Sequence, residues 1–252
     1  MSDIERLDSA VARIALFGCT ATRRLENAAL ADVAPFTLMA RAGDAVARLA
    51  LAVAPHAERI VVFAGPGNNG GDGIEAATRL VAFGKRALVL RVGARATMPA
   101  DAAQALARAQ AAGIEIRDWS ATTEVAADLV ADALLGIGAA RAPEGDLAAA
   151  IARIAELAAG GAHVVAVDVP SGLDADRGQP IGASCVVADD TLTLIAAKPG
   201  LFTGSGRDHA GRVWSAPIGI ASAHTDPDAW LVGTRDPSGT VARRRHAAHK
   251  GS

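Results

Sequence analysis

Residues 59–84, RIVVFAGPGNNGGDGIEAATRLVAFG, constrain the fold more than any other stretch: an apolar run meets a glycine–asparagine segment and then a stretch of helical period. The pattern predicts a strand, a tight turn and a helix beginning near Gly73. Glycines at 65, 67, 70, 71 and 73 would let backbone N–H groups approach a ligand with no Cβ in the way, and the helix would point its positive end at the same place. Such a segment suits a phosphate. Gly65-Pro66-Gly67-Asn68-Asn69-Gly70 satisfies G-x-G-x-x-G, a weak pattern by itself, and a hydride-transferring Rossmann protein usually carries an acid about 20 residues further on for the ribose. Here the second strand ends in Arg91. Phosphate binding also leaves Asn68, Asn69 and Asp72 unexplained, three polar side chains on a backbone that already supplies donors.

Apolar runs follow at 86–92, 114–119, 128–138, 163–174, 191–198 and 212–219, with helical periods at 100–112 and 146–159 between them. Strands alternating with helices at this spacing imply a mostly parallel sheet covered on both faces. Before the first strand, residues 3–17 and 21–34 read as two short helices broken by Gly18, and 36–54 as a longer one whose Ala42 and Gly43 offer a small face for close packing. These N-terminal helices are expected to cap the sheet. From about residue 223 the chain changes character, with Pro227, Pro237 and the basic run Arg243-Arg244-Arg245.

Composition narrows the function classes. A net charge of −2 with interspersed signs leaves no electrostatic footprint for nucleic acid, and no apolar run reaches the ~18 residues of a membrane span. The start, MSDIERLD, is charged and leads into no signal-peptide core, so the protein is expected to be cytoplasmic, with Cys19 and Cys185 as reduced thiols. There is no tyrosine, so none serves as acid, base or stacking platform. No His/Cys spacing points to zinc, and no G-x-S-x-G elbow points to serine hydrolysis.

In open parallel sheets ligands sit beyond the carboxyl ends of the strands. That rule collects Asn68, Asn69 and Asp72 after the first strand, Asp132 in the strand at 128–138, Asp168, Ser171 and Asp174 from the strand at 163–170, and Lys198 at the end of TLTLIAAK. Asp72, Asp174 and Ser171 equally suit helix caps or Asx-turns. Asp132 and Asp168 are embedded in apolar runs, where a carboxylate needs a cation or strong donors. Asn69, Asp132 and Ser171 together could hold a hard cation, and one carboxylate with neutral oxygens fits a monovalent ion better than calcium or magnesium.

GPGNNGGDG (65–73), DALLGIG (132–138), VVAVDVPSGLDADRG (164–178) and TLTLIAAKPGLFTG (191–204), with RRLEN (23–27) and LMARAG (38–43) before them, resemble the NAD(P)H-hydrate epimerase family. The resemblance implies a three-layer αβα, Rossmann-like fold and an enzyme that interconverts the R and S epimers of hydrated NADH and NADPH, repairing a damaged dinucleotide that is its substrate and not its cofactor. It places substrate contacts on Asn68, Asn69, Gly70, Gly71 and Asp72, on the loop Gly136, Ile137, Gly138, Ala139, Ala140, Arg141 and Ala142, and on Asp168. Potassium ligands fall on Asn69, Asp132 and Ser171. In the hydrate a hydroxyl sits on carbon 6 beside the ring nitrogen; it can depart to leave an iminium-like cation, or the ring can open to an aldehyde. Either route needs an acid/base and electrostatic support. Asp168 is the first candidate for the proton transfer and Lys198 the second.

The resemblance further implies a homodimer through the N-terminal helices. It gives a domain at 1–222, with 223–252 as a linker and the start of an ADP- or ATP-dependent dehydratase domain of a bifunctional enzyme. Two other readings stand beside it. One is a non-catalytic dinucleotide-binding or protein-partner module; the other is an NADP-dependent oxidoreductase using Arg91 for a 2′-phosphate.

Overall fold

The computed structural model describes residues 4–7, 13–93, 98–221 and 225–233. Its central strand, β3 (Arg59–Ala64), pairs in parallel with β4 (Arg86–Arg91) on one side and β6 (Leu129–Ala133) on the other. β5 (Glu115–Asp118) extends the sheet beyond β4, while β7 (His163–Val167), β8 (Asp190–Leu194) and β9 (Arg212–Ala216) extend it beyond β6. All these pairings are parallel; β1 (Glu5–Arg6) closes the far edge antiparallel to β9. Strand order therefore reverses between β3 and β6, and the crevice at that reversal is where an open α/β sheet receives a ligand.

Period-two patterning builds the layers. Ile60, Val62 and Ala64 of β3 face one core with α2 (Thr37–Val53), α3 (Asn68–Ala82) and α4 (Ala100–Ala111), while Val61 and Phe63 face a second with α5 (Asp146–Ala159). β6 and β8 are buried at every position, as strands covered on both faces must be. This is the mostly parallel, helix-covered sheet expected from the strand spacing. Gly43 lets α2 lie close on α3, since a Cβ there would stand 2.5 Å from Glu75 Cγ. Among the described residues no helix is long and apolar enough to cross a membrane.

Two expectations are corrected. The described residues of 3–17 form no helix: Glu5–Arg6 is β1, and Arg13–Leu16 is β2, antiparallel to β10 (Ala229–Val232). Pairing with strands more than 200 positions away overrides the local helical period, and Arg13 stacks on Trp230 at 3.9 Å. α1 (Cys19–Leu30) then begins immediately after Gly18, whose N–H donates to Asp228 Oδ2 at 2.8 Å. The helix after β3 begins at Asn68 rather than near Gly73, so Asn68 to Gly73 are its first turns. The basic run at 243–245 lies outside the described residues.

Candidate functional site

A cleft of about 740 Å³ opens over the carboxyl ends of β3, β6, β7 and β8. Three of the four described non-glycine residues with positive φ line it: Asp168 (φ 70), Ile195 (φ 68) and Ile218 (φ 47). Asp tolerates the left-handed region, but a β-branched residue there is a genuine outlier. Strain of this kind persists where the surroundings hold it, and it gathers at functional sites.

Asp168 follows the last residue of β7 and is 8 % exposed. Its Oδ1 accepts the Lys198 ammonium and, at 3.3 Å, the Leu194 N–H. Its Oδ2 accepts the Ile137 N–H at 3.4 Å and lies 3.3 Å from where a Cβ on Gly136 would stand. Lys198 is fully buried and gives its remaining hydrogens to Thr193 Oγ1 (3.1 Å) and Leu194 O (2.6 Å). An ammonium has three donors and no acceptor, so this geometry makes Lys198 the group that fixes Asp168, with Oδ2 left on the cleft side.

Asp132 and Ser171 meet beneath the cleft floor, both with no exposed surface. Ser171 donates its hydroxyl to Asp132 Oδ1 (2.6 Å) and its N–H to Oδ2 (2.8 Å), while Leu134 N–H reaches Oδ1 at 3.3 Å. Burial pushes the Asp132 carboxyl up to about 6, partly offset by the Ser171 hydroxyl and those two amides. Asn69 stands on the cleft side: its Oδ1 lies 3.2 Å from the Cβ position of Gly136, and its Nδ2 is buried without a partner. The arrangement offers one carboxylate, one hydroxyl and one amide from the ends of three strands. Among the described residues no cluster of three His, Cys, Asp or Glu could hold a metal ion.

Asn68, Asn69, Asp72, Gly136, Ile137, Gly138, Ala139, Asp168 and Lys198 all line the cleft. Ala140, Arg141 and Ala142 do not, and Ala142 packs instead towards Gly182. Gly70 and Gly71 are buried in α3, where their missing side chains permit close packing: a Cβ on Gly70 would stand 1.9 Å from Gly65 O, and one on Gly71 2.9 Å from Ala102. Gly73 does the same against Ala133. Only Gly67 among the five glycines of the segment opens onto free space, at the N-terminal end of α3.

Sequence reasoning missed the other wall. α1 brings Thr22, Arg23 and Glu26 to the cleft, and Met39, Met98 and Asp101 complete it. Arg23 and Glu26 are three apart on one helix face, within the RRLEN segment, which is the signal that could have found them. Glu26 and Asp72 are partly buried carboxyls with pKa values raised above the ordinary range, Asp72 well above it. Desolvation is the main cause for both, followed by the nearby Asp168 carboxylate. Arg91, by contrast, is not among the residues lining this cleft and is paired with Asp118 at 2.5 Å.

The family model described as YjeF-related protein N-terminus matches residues 35–200. The NAD(P)H-hydrate epimerase of Clavibacter sepedonicus is 38 % identical over 75 % of this chain and 85 % of the relative. This chain belongs to the NAD(P)H-hydrate epimerase family. The bifunctional NAD(P)H-hydrate repair enzyme Nnr of Escherichia coli K12 is a second family relative, 36 % identical over 91 % of this chain but only 44 % of its own length. The chain thus spans less than half of that longer protein. The crystal structure of yeast ynu0 shares the fold, with a TM-score of 0.65 and 20 % identity over 73 % of this chain and 82 % of the yeast one. The family match covers β3 through Lys198, and with them both the Asp168–Lys198 pair and the Asp132–Ser171 pair; α1, with Arg23 and Glu26, lies before it.

Proposed function

We propose that this chain interconverts the R and S epimers of hydrated NADH and NADPH. The observation that carries the reading is the position of Asp168: one carboxylate oxygen is fixed by a buried ammonium, and the other is left at the cleft, in a chain of the epimerase family. The dinucleotide backbone is received where α3 begins, at Gly67, Asn68 and Asn69, and along Gly136 to Ala139, through backbone donors and a helix N-terminus. The hydrated ring then lies over Asp168, whose Oδ2 exchanges a proton with the carbon-6 hydroxyl. Departure of that hydroxyl as water leaves a ring cation. The carboxylate left on Asp168 after it gives up the proton favours that positive charge.

Asn69, Asp132 and Ser171 fit a potassium ion, because their oxygens bring a single formal charge and the buried Asp132 carboxylate has no cationic partner among the described residues. When bound, the ion supplies a positive charge beneath the cleft floor. The reading extends to a cytoplasmic homodimer associating through its N-terminal helices, and to residues 223–252 leading towards a dehydratase domain, as the greater length of the bifunctional relatives supports. Sequencing the coding region past Ser252 tests the last point, and sedimentation the dimer. The activity is tested by incubating chromatographically separated R hydrate with the protein and following the appearance of the S form. Unchanged R hydrate sinks the reading in favour of a binding module.

A further inference from the structure

Inversion at carbon 6 has a geometric demand that one carboxylate cannot meet. The hydroxyl departs from one face of the ring and water arrives on the other, so proton transfer is needed on both. Asp168 is held in place by its own positive-φ backbone, the Lys198 ammonium and the Leu194 and Ile137 N–H groups, so its cleft-side Oδ2 serves one face only. A second group is required on the far wall of the cleft.

That wall is α1, which packs Ala21 and Leu25 into the core shared with α2 and α3 and brings Arg23 Nη2 to 3.5 Å from Ile137 O in the Gly136–Ala139 loop. Its Glu26 carboxyl lines the cleft, partly buried. Fully buried carboxylates elsewhere are held by donors: Glu75 by Arg79 and Arg108, Asp190 by Arg212, and Asp132 by Ser171. Glu26 meets no hydrogen-bond donor among the described residues, only the fields of Asp168, Lys198 and Arg23, with Asp72 of α3 and Asp101 of α4 in the same cleft. A desolvated carboxyl left unpaired in a cleft is a marker of acid–base function. Asp72 shares the isolation but stands on α3 within the segment proposed to receive the dinucleotide backbone, whereas Glu26 lines the cleft from α1 with a side chain one methylene longer.

Resting on the epimerase reading, we propose that Glu26 is the second acid/base, serving the ring face opposite the one that Asp168 serves. From one epimer, Glu26 as the neutral acid gives its proton to the carbon-6 hydroxyl; the C–O bond breaks, the electron pair leaves with water, and the ring nitrogen lone pair forms the C=N bond. Water adds from the other face, its oxygen bonding to carbon 6 while the C=N pair returns to nitrogen, and Asp168 takes the proton. One water is lost and one gained. The reverse epimerisation runs from the resulting state and restores both carboxyls. Raised by burial and by Asp168, the Glu26 pKa lies in the direction that keeps a proton available.

The test compares wild type with Glu26→Gln and Glu26→Asp, measuring epimerisation and incorporation of oxygen-18 from labelled water into each hydrate. Glu26→Gln is expected to lower kcat for inversion by about 10²–10³-fold, with KM within about threefold of wild type, to lose one limb of the pH profile, and to keep oxygen-18 exchange in a single epimer. Glu26→Asp is expected to recover part of the rate. Wild-type inversion by Glu26→Gln, or equal loss of inversion and exchange as a structural defect would give, overturns the proposal while leaving the epimerase reading intact. A wild-type chain that inverts neither hydrate overturns both.

Discussion

Lys198 and Asp168 form a buried pair between the turns after β7 and β8, with every ammonium hydrogen of Lys198 assigned to Asp168, Thr193 or Leu194. Removing one member of such a pair leaves a charge without a partner, which costs more than the pair contributes. Lys198→Met is therefore expected to destabilise the protein by about 3–5 kcal/mol in urea denaturation. Adding Asp168→Asn to Lys198→Met should return at least about 1 kcal/mol, because the orphaned carboxylate is gone. Additive losses in the double variant would contradict a coupled pair.

The glycines at the start of α3 separate into packing and ligand positions. Gly70→Ala forces a methyl within 1.9 Å of Gly65 O, so backbone must shift, and a loss of about 1–3 kcal/mol is expected. Gly67→Ala meets nothing within 4 Å and should leave stability within about 0.5 kcal/mol of wild type. Its methyl enters the cleft, so dinucleotide affinity measured by calorimetry should fall instead. Equal stabilities for the two variants would undo this division.

Potassium is expected to raise the thermal midpoint where choline at the same ionic strength does not. At about 100 times its dissociation constant it adds about 2.7 kcal/mol to stability. Asp132→Asn and Ser171→Ala should each abolish the difference between the two salts, since they supply the charge and the hydroxyl of the proposed site. Persistence of the shift in both variants would place the ion elsewhere.

Acid stability depends on Asp190, whose buried carboxylate accepts from Arg212, Trp214 Nε1 (2.6 Å) and His163 Nε2 (2.7 Å), tying together β7, β8 and β9. Burial raises its pKa, but the Arg212, Trp214 and His163 hydrogen bonds outweigh that and hold it below the ordinary value of 3.8. A depressed folded-state pKa contributes stability above 3.8 that is lost as pH falls through the folded value. Asp190→Asn should be less stable than wild type at pH 7 by about 3 kcal/mol, and the gap should narrow below pH 4 in acid titrations followed by circular dichroism. A gap that stays constant down to pH 2 would contradict the linkage.

The sheet was legible because its strands announce themselves by apolar runs bounded by glycine and proline, and Asp132, Asp168 and Ser171 because polar residues at strand ends stand out against such runs. What could not be read is non-local. β1 and β2 exist only through pairing with β9 and β10, and nothing near Arg13 encodes Trp230. The early start of α3 was hidden by glycines that penalise a helix locally by about 1 kcal/mol each but permit its contact with Gly65, Ala102 and Ala133. Glu26 was invisible for the same reason: its isolation emerges only when α1 meets the strand ends.

The most direct measurement supplies an epimer mixture of NADH hydrate to an S-specific dehydratase, with and without this protein, and follows total hydrate. Wild type is expected to carry consumption through the R form to completion, and Asp168→Asn, with its fold verified, to slow that second phase by about 10²–10⁴-fold. R hydrate left unconsumed by wild type, or removed at an equal rate by Asp168→Asn, would contradict the account.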